Sequence, residues 1–257
     1  MDKLQTKNLF GVNITTSSRV EILEYLKENL KKNSKGMVIV TPNPEIIMYA
    51  RKHPDFMNIL NEADIALPDG VGISIAAKCM GLGRIEKLPG VEFMEELVGM
   101  ISQLNKVVQG PSKGYGQNKK SVNSIGLFGG LPGVAELTGL CLQKKYSGTV
   151  ISYASHTWDT HKLSHKDMSV LFVALGHPKQ EKWMHDNANE IPAKIIMGVG
   201  GSFDFISGRV RRAPGILQKI GLEWLFRLIN QPWRWKRQLA LISFTVLTVK
   251  HVLSPKR

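Results

Sequence analysis

The strongest constraint on this chain is a repeated alternation, in which short apolar runs rich in β-branched residues are each followed by a stretch with helical spacing. The runs are NLFGVNI, GMVIVTPN, DIALPDG, SIGLFGG, TVISYAS, VLFVALGHP and KIIMGVGG, and their near-continuous hydrophobicity is that of strands buried on both faces. Between them, Ser18–Lys32, Pro44–Glu62, Val91–Val107, Pro132–Tyr146 and Pro178–Asn189 carry helical patterns. Such alternation predicts an α/β fold, a doubly wound, largely parallel sheet with helices on both faces and right-handed crossovers. Ligands of these sheets bind beyond the C-terminal ends of the strands, so polar residues at those ends are the first candidates for function.

Two segments leave the rhythm. Gln109–Ser124, QGPSKGYGQNKKSVNS, has no apolar face and is expected to be a loop. From Arg209 onward a helical, basic region replaces the strand-helix pattern, so the chain divides into an α/β core over 1–208 and a C-terminal appendage over 209–257. The appendage holds eleven Lys/Arg against one acidic residue, Glu223, a net charge of +10 out of the chain's formal +13. A charge so concentrated calls for an anionic partner surface, phospholipid or nucleic acid. The two cysteines, Cys79 and Cys141, have neither disulfide-framework nor zinc-site spacing. The N-terminus MDKLQTKNLFGVNITTSS contains no apolar core of signal-peptide type, and a cytoplasmic location is expected.

Several strand ends carry polar groups. Thr41 and Asn43 stand where GMVIVTPN gives way to a helix opened by Pro44, where Asn43 serves either as an N-cap or as a ligand contact. Asp69 ends DIALPDG, and its Asp-Gly pair reads either as a turn or as a carboxylate presented to a ligand. Arg84, in the Gly-bounded loop GLGRIEKLPG, is either a solvated surface group or a diphosphate contact, for which a planar guanidinium is well suited. Gly129 and Gly130 follow another strand and would let a phosphate or ribose approach the backbone, although the spacing is not G-x-G-x-x-G. After VLFVALGHP, Gln180 and Glu181 offer groups for sugar hydroxyls or a uracil edge, while a glutamate in a first helical turn also answers the helix dipole. Asp204 reads as a structural residue or as a further polar contact.

The absences narrow the chemistry. The chain has no G-x-x-x-x-G-K-[ST], H-E-x-x-H, G-x-S-x-G or D-x-D motif, so kinase, zinc-protease and esterase readings have no anchor and a dedicated metal site is not expected. Two rivals to an enzyme are a basic nucleic-acid-binding module, resting on the charged tail alone, and a non-catalytic sugar-nucleotide sensor. The first leaves the PDG and PKQE segments unexplained.

Taken in order, TPNPEIIMYARKHPDF, LPDGVGI, GLGRIEKLPGVEF, LGHPKQEKWM and GVGGSFDFISGRVRRAPGILQKIGLEWLFRLINQPWRWKRQ resemble the TagA/WecG/CpsF family, glycosyltransferase family 26, over about Asn8 to Gln238. The resemblance implies an inverting, metal-independent enzyme that needs no cofactor. It implies transfer of a hexose, of the N-acetylmannosamine type or related, from a UDP-sugar to a polyprenyl-diphosphate-linked glycan, as in wall teichoic acid or enterobacterial common antigen assembly. On the matching positions, Asp69 becomes the candidate general base, Thr41 and Asn43 position the sugars, and Arg84, Gln180 and the Gly129-Gly130 turn hold the donor or the leaving diphosphate. The Gln109–Ser124 segment is longer than the family leads one to expect. Homo-oligomers are open.

In that frame the tail has two tasks. Trp233, Arg234, Trp235, Lys236 and Arg237 precede an apolar run too short to span a bilayer, a combination suited to an anionic membrane interface at the inner face of the cell membrane, with no nucleic acid involved. Arg211, Arg212 and Arg227 would meet the diphosphates. The competing reading is that the Trp and Leu residues of GLEWLFRLI pack on the core or on another subunit.

Overall fold

The computed structural model describes residues 3–32, 36–109, 122–159, 168–219, 221–232 and 235–254. Eight strands and eleven helices follow one another as β1 (Thr6–Leu9), β2 (Val12–Thr15), α1 (Arg19–Lys31), β3 (Met37–Val40), α2 (Pro44–Ala50), α3 (Pro54–Glu62), β4 (Ile65–Ala66), α4 (Val71–Cys79), α5 (Gly90–Gln109), β5 (Ser124–Gly129), α6 (Val134–Lys145), β6 (Val150–Ser155), β7 (Met168–Ala174), α7 (Lys179–Asn187), β8 (Ala193–Gly198), α8 (Ser202–Ile206), α9 (Gly215–Lys219), α10 (Glu223–Asn230) and α11 (Trp235–Leu253) among the described residues. The main sheet runs β4-β3-β8-β7-β5-β6, and the pairings β3–β8, β8–β7, β7–β5 and β5–β6 are all parallel. This is the α/β fold expected from the alternation, with a helical C-terminal segment. The chain forms two compact units, the first comprising Met1–Ile22, Val40–Pro89 and Val210–Arg257 and the second Leu23–Ile39 and Gly90–Arg209.

In the second unit the apolar strands do what their composition demands. Every residue of β5 and β7 is buried, which requires cover on both faces. Leu127 and Ile151 lie under Gly139 of α6, while the next residue, Phe128, points the other way and packs on Trp183 of α7 at 4.7 Å between ring centroids. Helices therefore cover both faces of this part of the sheet. Residues 110–121 lie outside the described residues, so the expected loop at Gln109–Ser124 is seen only at its ends, where Gln109 closes α5 and Ser124 opens β5.

The first unit departs from the sequence reading in three places. NLFGVNI is not one buried strand but an antiparallel hairpin, β1–β2, with its own two-stranded sheet. Phe10 and Gly11 turn the chain with φ of +55° and +96°, the left-handed pair that a two-residue hairpin needs. The helix expected over Pro44–Glu62 breaks into α2 and α3 at His53–Pro54, because proline lacks the N–H that would continue the ladder and disfavours helical backbone in the residue before it. A helix absent from the pattern, α4, starts straight after the Asp69–Gly70 turn. At the start of α1, Ser18 and Glu21 form a capping box: Glu21 N–H donates to Ser18 Oγ at 3.3 Å and Ser18 N–H donates to Glu21 Oε2 at 2.7 Å. That backbone bond, reinforced by the Ser18 hydroxyl, holds the Glu21 carboxyl below its usual range.

The C-terminal helix belongs to this first unit. α11 packs against α2 and α4, burying Phe244 and Thr248. Phe10 at the hairpin tip meets Phe244 edge to face at 5.5 Å and His251 at 5.9 Å, while Arg51 lies over the same ring. Arg237, at the other end of the helix, pairs with Glu45 of α2. A buried aromatic ring in such a nest costs roughly 3 kcal/mol or more when cut to alanine. Phe10→Ala is therefore expected to lower the urea midpoint markedly, and an unchanged midpoint would show that the hairpin does not hold the helix.

Candidate active site

Within the first unit two strand exits are tied together. β3 ends at Val40 and leads through Thr41, which is buried, to Asn43; β4 ends at Ala66 and leads to Asp69. Leu67 N–H donates to Val40 O at 2.8 Å and Asp69 N–H donates to Pro42 O at 3.0 Å, so Asp69 is placed against the Thr41–Asn43 segment by its main chain. Its side chain is half-exposed. Gly70 follows with φ of +94°, a conformation that a residue with a Cβ adopts only at a cost, and it turns the chain into α4. Gly72 fits directly over Pro44, whose Cγ lies 2.8 Å from where a Cβ would stand. Asn43 is the N-cap of α2, its Oδ1 accepting from Ile46 N–H at 3.0 Å. The N-cap reading of Asn43 is the one seen, a capping oxygen at the mouth of a strand exit.

Arg84 lies exposed in a loop that is tethered on each side. Lys7 Nζ donates to Leu82 O, Arg19 Nε donates to Glu86 Oε1 at 3.2 Å, Lys87 Nζ donates to Gln218 O at 3.4 Å, and Leu88 N–H donates to Pro68 O at 2.8 Å. The last bond ties the loop to the segment that carries Asp69. These tethers were not legible in the sequence, since spacing along the chain does not show which distant group a lysine or glutamate meets. In the tail, Arg211 is exposed, Arg227 is half-buried in α10, and Arg212 engages Glu223 at 3.3 Å, the acidic residue that offsets one charge of this otherwise basic segment. Trp235 is exposed, whereas Trp233, Arg234 and the Lys236 side chain lie outside the described residues.

The second unit supplies a different cluster. Gly129 ends β5 with φ of +104°, and a Cβ there would stand 2.8 Å from the carbonyl carbon of Ala174 on the neighbouring strand, so only glycine fits. Gly130 follows, its N–H donating to Ala174 O at 2.9 Å. Gln180 and Glu181, expected to face a substrate, are 2% and 1% exposed. Gln180 Nε2 donates to Glu181 Oε1 at 2.8 Å, Gln180 Oε1 accepts from Gly200 N–H at 2.9 Å, and the second Glu181 oxygen stands 3.5 Å from Nδ1 of His177. Asp204 lies in the first turn of α8, half-exposed. No group of three or more His, Cys, Asp or Glu able to hold a metal ion occurs among the described residues.

The chain is similar to known proteins over nearly its whole length. The family model described as "Glycosyl transferase WecG/TagA/CpsF family" matches residues 7–257. An N-acetylglucosaminyldiphosphoundecaprenol N-acetyl-beta-D-mannosaminyltransferase of Bacillus subtilis (strain 168) is 29% identical over 254 residues, covering 98% of this chain and 94% of that protein. The proteins of the same name from Bacillus spizizenii (strain ATCC 23059 / NRRL B-14472 / W23) and Staphylococcus aureus (strain MRSA252) are 31% identical over 250 residues, with 96% and 92% coverage, and 28% identical over 252 residues, with 95% and 91% coverage.

Proposed function

Because the chain belongs to the WecG/TagA/CpsF family of glycosyl transferases, we propose that it moves an N-acetylmannosamine-type hexose from a UDP-sugar to a polyprenyl-diphosphate-linked sugar, with inversion and without a divalent metal. The observation that carries this reading is Asp69, a half-exposed carboxylate at a strand exit whose backbone is fixed against the Thr41–Asn43 segment. The relatives' name supplies the substrate class, an N-acetylglucosaminyldiphosphoundecaprenol acceptor and an N-acetyl-β-D-mannosaminyl group. From an α-configured donor, a β product requires one displacement with inversion.

In that reaction the acceptor hydroxyl oxygen forms a bond to the anomeric carbon while the bond from that carbon to the UDP oxygen breaks. Asp69 takes the hydroxyl proton as the attack proceeds. Thr41 and Asn43 hold the reacting sugars in line, a contribution of geometry. The charge that develops on the departing diphosphate needs cations: Arg84, Arg211 and Arg227 supply it, with Arg212 shared with Glu223.

The acceptor is a lipid, and the tail has the surface to reach it. Of the nineteen large hydrophobic residues exposed among the described residues, eleven lie between Ile216 and Leu253, so apolar exposure gathers where the basic charge gathers. On α11, Trp235, Leu239, Ile242, Val246, Val249 and Leu253 recur every three or four residues and form one outward stripe, opposite Phe244 and Thr248. No described helix is long and apolar enough to cross a membrane. Self-pairing through this stripe would bring like charges together, since α11 contains no acidic residue. An anionic bilayer interface at the inner membrane face matches both features.

The direct test is release of UDP from UDP-sugars in the presence of a short-chain prenyl-diphosphate-linked N-acetylglucosamine. Release that depends on the acceptor is expected; a chain that binds nucleotide without turnover would instead be a sensor. In the same assay EDTA is expected to leave the rate largely intact, since the sequence has no D-x-D motif and arginines stand in for the metal. A strict need for added magnesium or manganese would contradict the metal-free mechanism.

A further inference from the structure

We infer that Gln180 is a positioning residue, a buried strap that fixes the backbone of Gly176 and Gly200 where the donor nucleotide is held, and that it does not touch the nucleotide itself. The inference rests on the donor reading above. β7 and β8 are adjacent parallel strands, and each leaves the sheet at its C-terminal end through a left-handed glycine, Gly176 with φ of +74° and Gly200 with φ of +52°. No atom lies within 4 Å of where a Cβ would stand on either glycine, and both are half-exposed. Two neighbouring stretches of bare main chain thus face open space at the edge where sheets of this kind bind ligands.

One residue holds both. The Gln180 main-chain N–H donates to Gly176 O at 3.0 Å, and its side-chain Oε1 accepts from Gly200 N–H at 2.9 Å. The amide is oriented by Glu181, whose Oε1 accepts from Gln180 Nε2 at 2.8 Å; a carboxylate on one side and an N–H on the other leave one consistent placement of oxygen and nitrogen. Gly198 makes the room, since a Cβ there would stand 3.0 Å from Gln180 Nε2 and 2.9 Å from Met184 Cε. With its amide committed at both ends and 2% of its surface exposed, Gln180 acts through the glycines. Polar residues in a first helical turn ordinarily face outward, which is why the sequence suggests a direct contact.

The test is UDP binding by the full chain, measured by calorimetry. Gln180→Glu keeps an acceptor for Gly200 but sets a second carboxylate against Glu181, and UDP affinity should fall by about tenfold or more. The double variant Gln180→Glu/Glu181→Gln restores the pair with the donor reversed, and should recover affinity to within about threefold. A residue touching UDP through its NH2 would not be rescued by that exchange. The near-ultraviolet signal of Trp158 and Trp183, whose rings stand 4.8 Å apart in the same unit, reports whether each variant is folded. Should Gln180→Glu fail to fold, Gln180→Met, which keeps the volume and loses both bonds, is expected to show the same loss. Unchanged UDP affinity in a folded single variant, or no recovery in a folded double variant, overturns the strap while leaving the donor reading standing. Failure of the unaltered chain to bind UDP overturns the donor reading, and the strap's role with it.

Discussion

Replacing Asp69 by asparagine should lower the rate of transfer by about a thousandfold, within the range that a positioned general base contributes, while leaving donor affinity nearly unchanged. The expectation follows from how the residue is held. Its place is fixed by its own N–H on Pro42 O, by the left-handed turn at Gly70 and by the packing of Gly72 on Pro44, none of which involves the carboxylate. Asparagine keeps the shape and the backbone bond and loses the proton acceptor. A loss confined to kcat therefore identifies the carboxylate as the base. Near wild-type turnover would remove Asp69 from that role, and a parallel rise in donor Kd would assign it to binding.

The second large effect concerns membrane attachment. Deleting the tail tests attachment and folding together, because the inner face of α11 carries the buried Phe244 and Thr248 and its ends are tied to Phe10 and Glu45. The outer stripe can be changed alone. Leu239, Ile242 and Val246 are 50%, 63% and 47% exposed, so Leu239→Gln/Ile242→Gln/Val246→Gln should leave the urea midpoint where it is. Each side chain, if it enters the interface, contributes roughly 1 kcal/mol from its exposed apolar surface, and three together amount to about a hundredfold in partitioning onto anionic vesicles. Turnover of a lipid-linked acceptor in vesicles should fall in step, while turnover of a soluble short-chain acceptor should not. Unchanged sedimentation with anionic vesicles would show that the stripe serves another purpose.

The parts of this architecture that follow from bulk periodicity were legible in the sequence. β5 and β7 announced themselves because strands buried on both faces are drawn mainly from apolar and small residues. Where a short run served two structures, periodicity was silent. NLFGVNI reads as continuous hydrophobicity, and only the φ of Phe10 and Gly11 splits it into a hairpin. The tail run LALISFTVLTVKHVL is apolar on more than one side, so its spacing did not say which stripe meets α2 and α4 and which is left outside. The same holds for side-chain direction at the site. Asn43-Pro44 carried its cap in the sequence, since an acceptor before a first-turn proline has a defined job. The inward turn of Gln180 did not, because it depends on the missing side chain of Gly198, eighteen positions away.

The most direct measurement is the mass and linkage of the lipid product. With UDP-N-acetylmannosamine, a prenyl-diphosphate-linked N-acetylglucosamine and EDTA present, the acceptor should gain one N-acetylhexosaminyl unit in β linkage for each UDP released. An acceptor of unchanged mass beside released UDP, or an α-linked product, would contradict transfer by a single inverting displacement.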